Sequence, residues 1–154
     1  MAAPAPGLEP DEHLVARAPA SFRGATAASV RSTLALSSGR RRLDAYYAWQ
    51  AGAAAAGFST VGPEIVLGLT DRSLILWSTS FWFSRPLAIT GRVALSDVYE
   101  VAVARHGLVT GVAFALKSGA IVEVEAIRGR RLRHLAALVR DRRAEHGRGD
   151  SVGT

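Results

Sequence analysis

The sequence predicts a mainly β protein: a bent antiparallel sheet or small barrel of seven strands, capped by a C-terminal amphipathic helix. Apolar and polar residues alternate in successive segments, as half-buried strands require. Short sequences typical of tight turns separate several of these segments. Near the C-terminus the apolar residues recur at helical spacing, which is typical of a helix packed on a core. The 154 residues are enough for one such domain.

The N-terminal region is predicted to contribute little to this domain. Residues 1–24 contain four of the six prolines together with three acidic residues, and such a segment sustains neither a helix nor a core. We therefore expect a disordered tail over 1–24, with the domain spanning 25–145. Within the domain, residues 27–36 have apolar positions at helical spacing and predict a short N-terminal helix.

The predicted barrel covers about residues 42–126. It begins with a strand in which apolar side chains occupy every second position, namely Leu43, Ala45, Tyr47 and Trp49. Residues 51–63 are small and Gly-rich, which predicts a long loop. Two further strands are predicted at 87–94 and 98–105, where alternation resumes.

A first hairpin is predicted in EIVLGLTDRSLILWSTSFWF (64–83). Asp71 and Arg72 supply its turn, and apolar residues alternate on both sides of them. On the second strand of this hairpin, the alternation predicts that Ile75 and Trp77 lie on the core face.

A second hairpin is predicted between residues 112–116 and 122–126. Its turn contains Gly119, which permits the positive φ that a tight turn needs. The valines of its second strand are expected to face the core. Glu123 and Glu125 alternate with them and are therefore expected to point to solvent.

The last predicted element is a helix over about residues 129–145. Its apolar residues form one stripe, consisting of Leu132, Leu135, Ala136 and Val139. Arg130, Arg133 and Arg140 lie on roughly the opposite side. Residues 146–154 are poor in apolar groups, so we expect a second disordered tail.

Several segments together resemble the bacterial pleckstrin-homology-like domains, especially those common in actinobacteria. They are LGLTDRSLILW (67–77), VALSDVYEVAV (93–103), FALKSGAIVEVEA (114–126) and the terminal helix. The resemblance covers about residues 42–145. It implies a seven-stranded bent sheet capped by a C-terminal helix, and a scaffold that binds lipids or proteins without catalysis. Phosphoinositide-binding eukaryotic relatives carry clustered Lys and Arg between their first two strands, where this chain has AGAAAAGFSTVGP, without a basic residue.

The residues offer little for catalysis or cofactor binding. The chain has no Cys, which excludes disulfides, thiolate nucleophiles and Cys-ligated zinc. Gly52 and Gly57 have the spacing of a phosphate-binding loop, but Phe58 stands where that loop needs Lys. The four histidines are not at metal-ligand spacings. We therefore predict no enzymatic activity, no cofactor and no metal.

Basic residues of the terminal helix are the first candidate site. The formal net charge is +6, and Arg accounts for nearly all the basic groups because Lys117 is the single Lys. Arg130, Arg133 and Arg140 are candidate contacts for a partner or a polyanion such as nucleic acid. The alternative is that they form a solvated face that keeps a small domain soluble.

The second candidate site is the aromatic run Phe81 and Trp82 with the nearby Arg85. Aromatic residues at a loop tip can enter a membrane interface or anchor a protein partner. The alternative is that Phe81 and Phe83 continue the core face of the preceding strand, which leaves only Trp82 exposed.

These observations favour a non-enzymatic binding or adaptor module that acts through a protein partner or a membrane surface. A protein partner is the preferred interpretation, and an anionic membrane surface is the second. The alternatives are polyanion or nucleic-acid binding by the Arg-rich helix, and a purely structural subunit. A secretory signal and a long apolar run are both absent from the sequence, so we expect a cytoplasmic location, which includes the inner face of the membrane.

Overall fold

The structure is a computed structural model that describes residues 5–22, 54, 64–79 and 86–149. In this part of the chain seven strands precede a long C-terminal helix, which confirms the prediction of a mainly β protein ending in a helix. A single 3-10 turn at Leu95–Asp97 separates the fourth and fifth strands. The elements are β1 Leu14–Phe22, β2 Glu64–Thr70, β3 Ser73–Thr79, β4 Pro86–Ala94, β5 Val98–His106, β6 Val109–Leu116, β7 Ile121–Ile127 and α1 Arg130–Gly149.

All seven strands belong to one antiparallel sheet with the order β4-β3-β2-β1-β7-β6-β5. Strand β1 joins the two halves of the sheet. It pairs with β2 from Leu14 to Ser21, but with β7 only at Ser21 and Phe22. Among the described strands, β4 and β5 form the two edges. Inward side chains of all seven strands meet the helix in one cluster, so the sheet must bend around this core.

The prediction of a disordered tail over 1–24 is wrong for the described residues 5–22. Small residues alternate with exposed ones along β1, and the buried positions include Ala18 and Ala20. Pro19 is tolerated in this strand because, among the described strands, β1 has a neighbour on only one side at that position, so the missing N–H need not remove a ladder bond. The predicted helix at 27–36 and the predicted strand at 43–49 lie outside the described residues.

The helix α1 closes the main core as its apolar stripe predicts. Leu132, Leu135, Ala136 and Val139 are at most 1% exposed, and the helix packs against β1, β2, β5 and β6. The helix continues to Gly149, four residues beyond its predicted end. The predicted tail at 146–154 is therefore wrong over 146–149, and its remainder lies outside the described residues.

A second, smaller apolar cluster lies on the outer face of β2, β3 and β4. It contains Val66, Ile75 and Trp77, and residues 5–14 pack over it through Ala5, Leu8 and Leu14. Ile75 and Trp77 were expected in the main core, but Leu74 and Leu76 occupy it instead. Both faces of β3 are buried because residues 5–14 cover its outer face, which would be exposed to solvent in a domain made only of the sheet and the helix.

Polar contacts fasten this N-terminal segment to the sheet. The indole Nε1 of Trp77 donates to the carbonyl oxygen of Pro6 at 2.9 Å. The carboxylate of Glu12 is buried, accepts a hydrogen bond from Thr70 Oγ1 at 2.7 Å, and forms an ion pair with Arg92. Burial raises the pKa of Glu12, but the hydrogen bonds from Arg92 and Thr70 outweigh it and hold the pKa below its usual value.

Candidate functional site

The arginines predicted as one basic face have different environments in the structure. Arg130 is exposed at the start of α1, whereas Arg133 is half-buried, and its Nε has no hydrogen-bond partner among the described residues. Arg140 donates from Nη2 to the carbonyl oxygen of Val101 at 3.0 Å. Arg130 and Arg140 are about 15 Å apart along the helix axis, at the usual rise per residue. The three side chains therefore do not form one uniform exposed face, and their assignment as polyanion contacts stays a prediction.

The aromatic candidates cannot be placed, because Phe81, Trp82 and Arg85 lie outside the described residues. Their assignment as a membrane or partner anchor stays a prediction.

The edge of the sheet at β5 forms one surface, which we call the open β5 edge and define as residues 101–105. Among the described strands, β5 pairs only with β6. Since Arg140 reaches the carbonyl oxygen of Val101 from outside the sheet, the peptide groups of Val101 point away from β6. Alternate residues of a strand direct their peptide groups to the same side, so those of Val103 and Arg105 also face the open edge.

Aromatic, apolar and cationic side chains flank the open β5 edge. Tyr99 is 59% exposed and Val103 is 39% exposed. The guanidinium of Arg143 lies 5.7 Å from the centre of the Tyr99 ring, at a distance that permits a cation–π contact. The C-terminal half of α1 thus places two arginines, Arg140 and Arg143, beside an edge strand on which Val103 and Arg105 have no strand partner among the described residues.

A second surface forms where the β5–β6 turn meets the connection from β7 to α1. We call it the basic tip and define it as residues 105–108 and 127–131. The amide of Arg128 donates to the carbonyl oxygen of Leu108 at 2.6 Å, and Val109 pairs with Ile127 in the sheet. These contacts bring together two segments that are about twenty residues apart in the chain. Leu108 and Ile127 are 68% and 57% exposed.

The basic tip is densely cationic. Its exposed basic side chains are Arg105, His106, Arg128, Arg130 and Arg131. The sequence contains no acidic residue over 105–110 or 127–134, and the first turn of α1 likewise has none. Cationic side chains at a helix N-terminus oppose the macrodipole, so these arginines do not serve the stability of the helix.

The backbone of the basic tip is tightly constrained. Arg128 has φ of 58°, in the left-handed region that side chains rarely adopt. Gly129 has φ of 27°, and a Cβ on it would lie 2.5 Å from the Cβ of Thr110. The connection therefore packs directly on β6, which fixes the position of Arg128 beside Leu108.

The outer face of β5, β6 and β7 carries a groove with a volume of about 230 Å³. Its floor is made of small residues, including Ala102, Ala104, Gly111 and Ala113, and its lining also includes Glu123 and Glu125. The prediction that both glutamates point to solvent is wrong for Glu125. Glu125 is 7% exposed and Glu123 is half-buried. Both glutamates lie on the outer face, opposite to the core residues Val122 and Val124, and Glu125 pairs with Ser21 of β1 in the sheet.

The described residues contain no group of three His, Asp or Glu side chains placed to hold a metal ion. Among the described residues, no helix is both long enough and apolar enough to cross a membrane.

The residues of the two surfaces were largely missed by the sequence analysis. The sequence does contain one indication that Leu108 is exposed, because a large apolar residue directly after Gly107 is unusual in a turn. The sequence contains no such indication for Tyr99 and Val103, since their alternation matches that of any half-buried strand. Comparison with known proteins adds no assignment: no protein-family model and no curated protein matches the chain.

Proposed function

We propose that this protein is a non-enzymatic, pleckstrin-homology-like binding module that captures an extended segment of a protein partner at the open β5 edge. The observation that carries the proposal is the hydrogen bond from Arg140 to the carbonyl oxygen of Val101. It means that the peptide groups on this side of β5 accept hydrogen bonds from outside the sheet. One antiparallel sheet of seven strands followed by a C-terminal helix is compatible with the pleckstrin-homology-like resemblance.

The chemistry of the partner segment follows from what borders the edge. An edge strand with unpaired N–H and C=O groups is a template for one more strand, and alternate side chains of that strand then supply specificity. Tyr99 and Val103 offer apolar contact, and Arg140 and Arg143 offer positive charge. The segment that fits is therefore extended, with apolar and acidic residues in alternation.

The proposal is tested by selecting peptides on the full-length protein from a displayed library of random 12-residue sequences. The expected peptides alternate apolar and acidic residues, and amide chemical shifts of Val103 and Arg105 should change on binding. Val103→Pro should abolish binding, because it removes an outward N–H, whereas a proline on an edge strand spares the ladder to β6. Val103→Ala keeps the N–H and should weaken binding only modestly. Selected peptides that shift residues elsewhere, or that bind Val103→Pro as they bind the parent, would contradict the proposal.

Polyanion binding through Arg130, Arg133 and Arg140 together has weaker support. Arg140 is already engaged by β5 and Arg133 is half-buried, so the three arginines do not form one exposed basic face. We therefore prefer the protein partner as the function of the open β5 edge.

A further inference from the structure

We propose that the basic tip docks the protein on an anionic membrane surface, with Leu108 and Ile127 entering the interfacial region while the arginines around them lie against lipid phosphates. This surface lies next to the open β5 edge that binds the partner segment and shares only Arg105 with it; its other residues lie around the turn after β5 and the connection from β7 to α1. Different variants, Val103→Pro for the edge and Leu108→Ser or Arg130→Gln for the tip, therefore distinguish the failure of one proposal from the failure of the other.

The apolar part of the basic tip is the first argument. Single exposed apolar residues are common on protein surfaces. Here, however, two exposed apolar residues, Leu108 and Ile127, lie on neighbouring segments. Leu108 and Ile127 are 68% and 57% exposed, and the sheet pairing at Val109 holds their segments together. Ile121, at the other end of β7, is 53% exposed but has no arginine next to it in the sequence. Exposed apolar side chains within a cluster of cations are what an interfacial anchor requires.

The charge of the basic tip is the second argument. The basic tip, residues 105–108 and 127–131, contains four arginines and no carboxylate, which is +4, against a net charge of +6 for the whole chain. The remainder of the chain therefore carries only 6 − 4 = +2. Such a concentration of like charge is self-repulsive in the free protein and is relieved against an anionic surface. Near such a surface each arginine contributes about fivefold in the partition coefficient.

The fixed backbone is the third argument. Arg128 donates its amide to Leu108, and Gly129 is packed against Thr110 so closely that no side chain fits. The backbone that carries the apolar and cationic side chains is therefore already fixed before the protein meets the membrane. A rigid tip of this kind loses less conformational entropy on docking than a flexible loop does.

A bilayer fits these observations better than nucleic acid does. Both supply phosphates to the arginines, so the charge alone does not distinguish them. Leu108 and Ile127, however, gain nothing from a phosphate backbone, whereas the interfacial region of a bilayer removes them from water. The apolar pair thus selects the membrane.

The first experiment measures co-sedimentation of the full-length protein with vesicles of phosphatidylcholine, with or without phosphatidylglycerol. We expect binding only to the anionic vesicles and a decrease with salt. Arg130→Gln should lower the partition coefficient about fivefold. Lys117→Gln is the matched control, because Lys117 is exposed at the opposite end of β6, about 25 Å from the tip at the usual rise of a strand. The partition coefficient of Lys117→Gln should be within about twofold of that of the parent, which is well below the fivefold effect expected of one arginine at the surface.

The second experiment uses the absence of Cys from the chain. Leu108→Cys and Ile121→Cys are each labelled with an environment-sensitive fluorophore. Anionic vesicles should shift the emission of the label at position 108 to the blue and leave the label at 121 unchanged. Leu108→Ser should weaken vesicle binding roughly tenfold, in keeping with the loss of a buried Leu side chain. Both residues are exposed, so the melting temperatures should match that of the parent.

Three results would overturn the proposal. The first is no binding to anionic vesicles, and the second is binding that Arg130→Gln and Leu108→Ser leave unchanged. The third is duplex DNA that binds the parent and Leu108→Ser equally while vesicles do not bind, which would make the tip a nucleic-acid site. Val103→Pro, which should lose the selected peptides, is expected to bind vesicles like the parent.

Discussion

Trp77 and Gly68 form the contact on which the outer cluster of the sheet depends. A Cβ on Gly68 would lie 2.1 Å from Cζ3 of the Trp77 ring, so only glycine lets the indole lie across β2. In that position the ring is fully buried, and its Nε1 reaches the carbonyl oxygen of Pro6. One missing side chain thus decides whether the N-terminal segment has a surface to pack on.

Gly68→Ala should destabilise the protein by about 1–3 kcal/mol, as overpacking of a core commonly does. Gly111→Ala is the matched control on the outer face of β6, because the nearest atom to its Cβ would be 3.9 Å away. The control should be neutral or stabilising by about 0.5 kcal/mol. Urea unfolding of the two variants checks the difference, and equal stabilities would mean that the indole does not lie on Gly68.

Glu12 makes stability depend on pH in a defined direction. Its pKa in the folded protein is below the usual value of 4.5, so folding is favoured by the ionised carboxylate above that pH. As pH falls through 4.5 towards the lowered pKa, the unfolded chain takes up a proton that the folded chain does not, and stability is lost.

We expect the parent to lose stability on acidification from about pH 6 to about pH 3, a range that spans the ordinary carboxylate pKa values. Glu12→Gln should cost about 2–3 kcal/mol at neutral pH, because it leaves Arg92 without its carboxylate, and this difference should shrink in acid. Glu9→Gln removes only a surface ion pair with Arg72 and should cost less than about 1 kcal/mol. A difference between the parent and Glu12→Gln that persists unchanged at low pH would contradict the assignment.

At the scale of elements, the N-terminal segment and β1 form one continuous structural unit. Residues 5–13 cover the outer cluster, and the chain then enters the sheet at Leu14. The backbone of His13 closes this unit on the β2–β3 turn, because its amide donates to Asp71 and its carbonyl oxygen accepts from the Asp71 amide. The segment is thus part of the folded domain and contributes to its stability.

Deletion of residues 1–13 should therefore destabilise the protein, since it removes Glu12 and uncovers Trp77. A loss of about 3 kcal/mol corresponds to roughly 10 °C in melting temperature for a chain of this size. Deletion of residues 1–4 is the control, because it retains every contact described for 5–13. If both deletions melt like the parent, the N-terminal segment does not hold the sheet as the structure has it.

The helix, unlike the N-terminal segment, was predicted correctly from the sequence. Its apolar stripe predicted the buried face residue by residue, because the helical period is local and one face must be buried. The hairpin turn at Asp71 and Arg72 was likewise predicted, since turn chemistry depends on adjacent residues.

At the scale of the whole molecule, the sheet order decides which surfaces are open. Strands β4 and β5 follow one another in the chain, yet they form opposite edges of the sheet. The first half of α1 borders the basic tip, and its second half borders the open β5 edge through Arg140. One helix thus stands beside both proposed surfaces, so a membrane-bound protein could still present β5 to a partner.

The sequence by itself determined the class of the fold, six of the seven strands and the buried face of the helix. These features depend on periodicity within short segments and on the burial of one face. Only the tertiary structure decided that residues 14–22 supply the strand joining the two halves, that Glu125 is buried, and that Leu108 meets Arg128. Each of these depends on pairing between segments distant in the chain. Local patterns carry no information about such neighbours, so the proposed surfaces could not be derived from them.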